Sequence, residues 1–182
     1  LGEIDNIIHE DLPTNPISPY GVSKLYGEKL GASFAKVYST NFIALRFANV
    51  YGKHSEKKTS VVAKFIKNAI KDNRIFVNGD GTQTRDFIYV DDLINSIILT
   101  TRKNVSNDIF QISSNKQLSI SDLSILIKQL AKELLGKNIV ISYGPKLIGD
   151  IKTIQCENSK ALKHLEWQPR IKFEDSIRNT FE

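Results

Sequence analysis

Cysteine is scarce in this sequence, with Cys156 standing alone among 182 residues. A single cysteine cannot form a disulfide within the chain, and disulfides are typical of oxidising compartments. The first residues also lack the basic and then apolar pattern of a secretory signal. We therefore expect a cytoplasmic protein in which Cys156 packs as a small apolar side chain.

Long apolar runs and dense positive charge are missing as well. No stretch approaches the roughly 20 apolar residues that a membrane-spanning helix needs, so we expect no membrane partner. The formal net charge of +5 suits a polyanionic small substrate but falls short of the clustered basic face of a nucleic-acid binder. We therefore expect no nucleic-acid partner. The histidines His9, His54 and His164 have no neighbours that would complete a metal site, so we expect no metal either.

Strand-like and helix-like segments alternate along the chain, and this alternation predicts an α/β fold. The proline-bearing opening, residues 1–17, is predicted to be a loop. Strands are predicted at 41–47, 74–77, 85–90, 109–112 and 139–141, the first of them buried on both faces. Helices are predicted at 20–38, from Thr59 or Ser60 to Ile70, from Asp91 to Ile98, from Ser119 to Gly136, and at 159–165 and 173–181.

Two of these helices have a predicted apolar stripe that faces the core. In the helix that Asp91 would cap, the stripe consists of Leu93, Ile94, Ile97 and Ile98. In the helix that begins with the capping pair Ser119 and Asp122, it consists of Leu123, Leu126, Ile127, Leu130 and Leu134.

The segment Ser18–Lys24 (SPYGVSK) is the first stretch with a chemical meaning. Ser18 is a favourable N-cap and Pro19 suits the first helical position, so a helix is predicted to start here. Residues four apart share a helix face, which places Tyr20 beside Lys24. A nearby ammonium favours the phenolate form, and bringing a tyrosine from a pKa of ~10 to ~7 takes about 4 kcal/mol. Alone, this spacing also suits a surface tyrosine beside a solvated lysine, so the motifs downstream decide.

Four further motifs follow in order, at 45–52 (LRFANVYG), 79–92 (GDGTQTRDFIYVDD), 149–150 (GD) and 165–169 (LEWQP). With Ser18–Lys24 they resemble the extended short-chain dehydrogenase/reductases of the NAD-dependent sugar-nucleotide epimerase/dehydratase family. The resemblance is nearest to the UDP-glucose and UDP-N-acetylglucosamine 4-epimerases, because Asn-Gly-Asp-Gly at 78–81 is familiar among them. Any one motif would be weak, whereas five in this order are specific.

The resemblance implies the C-terminal portion of a longer enzyme. The family's glycine-rich nucleotide-binding turn is missing, and Leu1-Gly2 falls at the end of the motif that carries the family's catalytic serine or threonine. Residues 1–58 would belong to the NAD-binding Rossmann-like parallel sheet. Residues 59–182 would mainly form the smaller α/β nucleotide-sugar domain, with Arg85–Ile112 returning to the Rossmann domain. Gly27 and Gly31 lie inside a helix and indicate close helix packing, and this chain alone is expected to be inactive.

The resemblance also assigns roles to the tyrosine and lysine pair. Tyr20 would be the acid/base that takes a proton from a sugar hydroxyl while hydride passes to NAD. Lys24 would hold the nicotinamide ribose and favour the phenolate. Both residues are therefore expected to contact the cofactor as well as to serve catalysis.

A second group of residues corresponds to the family's nucleotide-sugar site. Asn49 and Arg85 would bind the substrate diphosphate, and the guanidinium fork of Arg85 matches phosphate oxygens. The remaining candidates are Lys64 at the phosphates, Val61, Phe76 and Asn78 at the nucleoside, and Asp150 at the ribose or base. Each candidate could instead have a purely structural role. Asn49 could cap a loop, Arg85 could form an ion pair with Asp86, Lys64 could be solvated, and the apolar Val61 and Phe76 could pack in the core.

Departures from the family pattern keep rival functions open. Leu147 occupies the position of a common arginine, with Lys146 beside it, and Lys53-His54 replaces the usual Pro-Arg. The leading expectation is a UDP-sugar 4-epimerase. A nucleotide-sugar 4,6-dehydratase begins with the same oxidation, and a non-catalytic nucleotide-binding relative is the alternative of another class.

Family members commonly form homodimers through the tyrosine-bearing helix. An apolar stripe on the predicted helix could serve this purpose, although such a stripe is more often ordinary core. The stripe consists of Val22, Tyr26, Leu30, Phe34 and Val37.

Overall fold

The computed structural model describes residues 7–147 and 151–181 of the chain. The helices found there are α1 (Pro19–Tyr38), α2 (Val61–Asp72), α3 (Val90–Arg102), α4 (Ile120–Leu135), α5 (Ser159–Leu165) and α6 (Phe173–Thr180). The strands are β1 (Ile43–Phe47), β2 (Asn49–Tyr51), β3 (Arg74–Asn78), β4 (Thr84–Arg85), β5 (Phe87–Tyr89), β6 (Asp108–Ile112), β7 (Leu118–Ser119) and β8 (Val140–Gly144). The predicted α/β class is confirmed.

The strands pair across helical connections, as a parallel α/β fold requires. Parallel pairs form between β1 and β6, between β2 and β5, and between β3 and β8. The short strands β4 and β7 pair antiparallel. Parallel strands joined through helices are the arrangement expected of the predicted Rossmann-like fold.

The extended segment predicted at 85–90 is two strands rather than one. Arg85 ends β4, which pairs with β7, whereas Phe87 starts β5, which pairs with β2. The intervening Asp86 is fully buried. The chain therefore changes its partner strand at Asp86. This change depends on tertiary packing, and the pattern of apolar residues in the sequence does not predict it.

Two clusters of buried apolar side chains lie beneath these elements. The larger cluster joins α2, α4, β3 and α6, with Phe65, Val77, Leu123, Ile127 and Ile177 among its members. The smaller joins β5, β6, α3 and α5 around Phe110 and Trp167. The indole nitrogen of Trp167 donates to the Asp92 carbonyl at 2.9 Å, so the chain after α5 is tied to the start of α3.

Three burial predictions are wrong. In α3, Ile94, Ile97 and Ile98 are 47%, 44% and 39% exposed, because the buried side of the helix carries Asp92, Leu93 and Ser96. The Asp92 carboxylate accepts backbone N–H groups of Arg170 and Ile171 at 3.0 and 3.3 Å, which explains a polar group inside. The helix also begins at Val90, so Asp91 lies in its first turn and Tyr89 is the N-cap.

The other two corrections concern α4 and β1. Leu134 is exposed because the buried stripe of α4 ends at Ala131, one turn before its last residue. In β1, only Ala44 is buried, and Phe47 is 45% exposed. The strand pairs with β6 along one edge. Arg46 directs its guanidinium group to Glu28 of α1, so one face of β1 carries a charged side chain and is not purely apolar.

The ends of α2 and α4, unlike the start of α3, agree with the predicted caps. Ser119 accepts from the Asp122 N–H at 2.9 Å, and Gly136 ends α4 in the left-handed conformation with φ of 65°. Ser60 is the N-cap of α2, as one of the two predicted candidates. Within residues 7–147 and 151–181, none of the helices has the length and apolar character needed to cross a bilayer.

Candidate active site

The predicted pair Tyr20 and Lys24 lies on the first turns of α1. The Lys24 ammonium sits 5.1 Å from the centroid of the Tyr20 ring, so the side chains are neighbours as the spacing indicated. Tyr20 is 72% exposed. Over the residues that the structure describes, neither side chain makes a hydrogen bond, which leaves both polar groups available to a ligand.

The start of α1 is fixed by local contacts. The Ser18 hydroxyl accepts the Gly21 N–H at 3.1 Å, and Pro19 occupies the first helical position, as predicted. The Ser23 hydroxyl donates to the Tyr20 carbonyl at 2.8 Å. A Cβ on Gly21 would lie 2.9 Å from the Pro16 Cβ, so the preceding loop packs directly against this turn. These contacts orient the backbone that carries the phenol.

The two helix glycines behave differently from each other. A Cβ on Gly31 would lie 2.2 Å from the Phe42 ring, so this glycine permits a close approach. At Gly27, none of the described residues lies within 4 Å of the corresponding position. The expected close packing therefore holds at Gly31, against a ring that precedes β1 rather than against another helix.

Asn49 is held by the backbone carbonyl of Asp86. Its amide nitrogen and its side-chain amide both donate to the Asp86 carbonyl, at 3.0 and 2.9 Å. The Asp86 carboxylate accepts the N–H and hydroxyl of Ser114, each at 2.8 Å. Burial raises the pKa of Asp86, and the hydrogen bonds from Ser114 act against that rise. Asn49 thus makes the capping contact that its structural reading implied, while its exposed side chain stays at the carboxyl end of β1.

Arg85 immediately precedes this buried aspartate. It is half-buried at the end of β4, and its guanidinium donates to the Thr84 carbonyl at 2.7 Å. Asn49 is therefore hydrogen-bonded to the Asp86 carbonyl, and Arg85 precedes Asp86 in the chain. The buried Asp86 thus helps to position both residues. From the sequence, Asp86 was considered only as an ion-pair partner of Arg85, although its carboxylate inside an otherwise apolar segment was the available signal for this structural position.

The remaining substrate candidates lie on α2 and β3. Val61 is half-buried at the start of α2, and Lys64 is exposed one turn later. Phe76 is 39% exposed on β3, and the Asn78 carbonyl accepts from the Gln83 side chain at 2.8 Å. Asp150 lies outside the described residues.

One side-chain pair links α1 to the strand that leads to Asn49. The Arg46 guanidinium donates to both carboxylate oxygens of Glu28, at 2.8 and 2.7 Å. The hydrogen bond from Arg46 holds the pKa of Glu28 below its usual range, and the same bond raises the pKa of Arg46. Sequence reasoning missed this pair, although Arg46 stands out as the only charge in β1.

The single cysteine belongs to this region as well. Cys156 is buried, and burial together with the nearby Asp86 raises the pKa of its thiol to about 12. A thiol with so high a pKa is a poor nucleophile at neutral pH, and the expectation that Cys156 packs is confirmed. No group of metal-ligating side chains occurs in the part of the chain that the structure describes.

Curated proteins similar to this chain include two kinds of sugar-nucleotide enzyme. The chain is 32% identical over 188 residues to a UDP-glucose 4-epimerase of Lactobacillus helveticus, covering 93% of this chain and 56% of that protein. It is 27% identical over 184 residues to the dTDP-D-glucose 4,6-dehydratase of Homo sapiens, covering 100% and 51%. The chain therefore spans about half the length of the curated relatives it matches.

Solved structures give the same result. A UDP-N-acetylglucosamine 4-epimerase of Methanobrevibacter ruminantium, in complex with UDP-N-acetylmuramic acid, matches with a TM-score of 0.89 at 30% identity, covering 99% of this chain and 58% of that one. A UDP-glucuronic acid 4-epimerase of Bacillus cereus, with UDP-glucuronic acid and NAD, matches with 0.84 at 30% identity, covering 99% and 56%. The family model for the NAD dependent epimerase/dehydratase family matches residues 2–113. The ordered motifs, the fold and these matches agree, and the chain belongs to the NAD dependent epimerase/dehydratase family.

Proposed function

We propose that this chain supplies the catalytic Tyr/Lys pair and the substrate-binding part of an NAD-dependent UDP-sugar 4-epimerase. The observation that carries the proposal is the exposed Tyr20 with the Lys24 ammonium 5.1 Å from its ring centroid. The similarity to 4-epimerases in both sequence and fold supports the same reading.

Tyr20 serves as the acid/base at the sugar C4 hydroxyl. Its phenolate removes the hydroxyl proton during oxidation, and its phenol returns a proton to the C4 oxygen after the ketone is reduced on its other face. An acid/base must lie within reach of the proton that it transfers, and the exposed Tyr20 side chain is open to a bound sugar. One side chain thus holds the proton between the oxidation and the reduction and then returns it to the sugar.

The donors present at this site fit a nicotinamide dinucleotide. Lys24 presents an ammonium without a hydrogen bond to any described residue, which suits the ribose hydroxyls, and Tyr20 lies next to it. When bound, NAD accepts the hydride from C4 and gives it back. Tyr20 and Lys24 hold the reacting hydroxyl and the ribose in place for that exchange.

The nucleotide part of the substrate is bound by the second group of residues. Arg85 and Lys64 contact the diphosphate, and Asn49 presents its amide at the end of β1, where α/β sheets bind ligands. The nucleoside and ribose contacts come from Val61, Phe76, Asn78 and Asp150. Residues 1–58 and 85–112 act as the Rossmann part of this site, and the rest of 59–182 forms the nucleotide-sugar part.

Turnover of defined substrates by the full-length protein tests the proposal. UDP-glucose and UDP-N-acetylglucosamine are incubated with the enzyme and NAD, and the anomeric proton signals are followed by NMR. We expect interconversion with the corresponding galacto sugar. Binding of NAD without turnover of any nucleotide sugar would indicate the non-catalytic alternative and would contradict the proposal.

A 4,6-dehydratase is the second candidate, favoured by the full coverage of this chain in the match to the human dTDP-D-glucose 4,6-dehydratase. It starts with the same C4 oxidation but then loses water. dTDP-glucose is included in the assay, and formation of a 4-keto-6-deoxy product would support this candidate over the epimerase.

Three further properties belong to the proposal. The protein acts in the cytoplasm, and the 182-residue chain alone is inactive. The full-length protein forms a homodimer through the exposed stripe on α1, whose members are 42% to 68% exposed and consist of Val22, Tyr26, Leu30, Phe34 and Val37. Light scattering on the wild type and on Leu30→Glu tests the dimer, which the charged variant is expected to dissociate.

A further inference from the structure

A cavity of about 290 Å³ lies beside α2. It is bounded by the loop after β2, by one side of α2 from Ala63 to Lys71 and by the end of α6. None of the proposed substrate residues Asn49, Val61, Lys64, Phe76, Asn78 and Arg85 lines it, nor do Tyr20 and Lys24. Its volume is near the lower end of the range found for small-molecule sites.

The wall of this cavity is apolar where it is formed by the helices. Ala63, Ile66 and Ile70 contribute from α2, and Phe181 contributes from the residue that follows α6. Ala63 and Ile66 are 5% and 6% exposed, so they belong to the rigid core of the protein rather than to a mobile surface. The wall therefore offers a preformed surface to an apolar body.

The charges at the cavity are mainly positive. Lys67 and Lys71 stand one helical turn apart on α2, so their ammonium groups can converge on one anion. Within the described residues, neither lysine takes part in an ion pair or a hydrogen bond. Glu56 is the carboxylate among the lining residues, and His54 adds a polar ring.

The loop that closes the cavity is ordered by its own contacts. The Ser55 side chain is buried, and its hydroxyl donates to the Gly52 carbonyl at 2.7 Å. His54 has a φ of 63°, a conformation that non-glycine residues rarely adopt. A Cβ on Gly52 would lie 2.4 Å from a Val90 methyl carbon, so the loop is pressed against α3. The cavity is thus built by a fixed loop and two packed helices.

We propose that this cavity binds a small molecule with an apolar body and a terminal anion. The apolar body lies against Ala63, Ile66, Ile70 and Phe181, and the anion meets Lys67 and Lys71. Carboxylate and phosphate head groups share this chemistry. The inference goes beyond the proposed epimerase function and does not depend on it, because the two sites share no residue.

Ligand binding to the full-length protein tests this site independently of turnover. Hexanoate, hexyl phosphate and 1-hexanol are titrated separately while backbone amide signals are followed by NMR. We expect saturable shifts at residues 52–56 and 66–71 with either anion, and at least tenfold weaker binding of 1-hexanol. The tighter of the two anions identifies the head group.

Variants with a matched control complete the test. Lys67→Gln/Lys71→Gln removes both charges from the cavity, and Lys128→Gln/Lys132→Gln removes two exposed charges with the same spacing from α4. The first variant is expected to weaken the anion at least tenfold and the second less than twofold. Equal binding of 1-hexanol and the anions, equal loss in both variants, or no saturable shift at residues 52–56 would each overturn the proposal.

Discussion

Helices α1 and α4 are built with the same end signals but occupy opposite environments. Each starts with a serine whose hydroxyl accepts a backbone N–H, and each ends with a residue in the left-handed conformation. Yet Ala35 is the buried residue of α1, whereas Ile120, Leu123, Ser124, Ile127, Leu130 and Ala131 are buried in α4. Caps therefore mark where a helix begins and ends, whereas side-chain burial distinguishes a helix that packs into the core from one that is largely exposed.

The largest expected effect is a loss of activity when the phenolic oxygen of Tyr20 is removed from the exposed helix α1. Tyr20→Phe should lower the turnover of a UDP-sugar by about 10²–10⁴-fold, because the acid/base is lost while the ring remains. Steady-state kinetics of the full-length enzyme provide the measurement. Tyr26→Phe on the same helix, also exposed, is the matched control and should retain activity within about twofold. Similar losses in both variants would contradict the role of Tyr20.

The next effect is on stability, and it contrasts leucines of the two helices. Leu123→Ala in α4 should lower the free energy of unfolding by about 2–5 kcal/mol, because the side chain is fully buried. Leu30→Ala in α1, where the leucine is 42% exposed, should cost less than about 1 kcal/mol in the monomer. Denaturant unfolding, monitored by circular dichroism, compares them. A loss at Leu30 equal to that at Leu123 would show that α1 is packed more like α4 than its exposure indicates.

A smaller effect is expected at the ion pair that fastens α1 to β1. Glu28→Gln should lower the free energy of unfolding by about 1–2 kcal/mol near neutral pH, since it weakens two charge-assisted hydrogen bonds from Arg46. The folded pKa of Glu28 lies below the unfolded value, so the stabilisation is present above about pH 4.3 and is lost as the pH falls through the folded pKa. Unfolding curves from pH 7 to pH 3 measure it.

The control for the ion pair is the Glu133 contact with Arg178. Glu133 accepts two hydrogen bonds from Arg178, at 2.7 and 2.9 Å, but lies on the exposed face of α4. Glu133→Gln should change stability less than Glu28→Gln does, because water screens exposed pairs. An equal pH dependence of Glu28→Gln and the wild type would count against the assigned role of Glu28.

The smallest effect separates the two serine caps. Ser119→Ala should cost about 1 kcal/mol of global stability, because α4 packs in the core and its end cannot fray freely. Ser18→Ala should change global stability less but should lower activity several-fold, since the turn that it caps carries Tyr20. Unfolding and kinetic measurements on both variants check this. If Ser119→Ala affected activity more than Ser18→Ala did, the division between the helices would fail.

Local signals in the sequence predicted most of the element order. Ser18-Pro19, the Ser119 and Asp122 pair, and Gly136 act within a few residues, so the helix ends that they mark are where the sequence places them. The proximity of Tyr20 and Lys24 was likewise predictable, because the helical spacing alone brings the two side chains together.

Tertiary contacts were harder to predict. Periodicity shows which residues share a face but not which face is covered, and the polar Asp92 and Ser96 lie inside while Ile94 and Ile97 lie outside. The Glu28 and Arg46 pair joins residues 18 apart, and Asp86 meets Ser114 across 28. Such pairs depend on how the elements pack, and one sequence without a structure does not specify that packing.

The most direct test of the central claim follows a single hydrogen. The full-length protein is incubated with NAD and with UDP-glucose or UDP-N-acetylglucosamine that carries deuterium at C4, and the products are analysed by NMR and mass spectrometry. Tyr20-dependent oxidation and re-reduction at C4 predict the galacto epimer with deuterium retained at C4, and Tyr20→Phe should form it about 10²–10⁴-fold more slowly. A 4-keto-6-deoxy product with deuterium at C6, or no conversion of either sugar, would contradict the account.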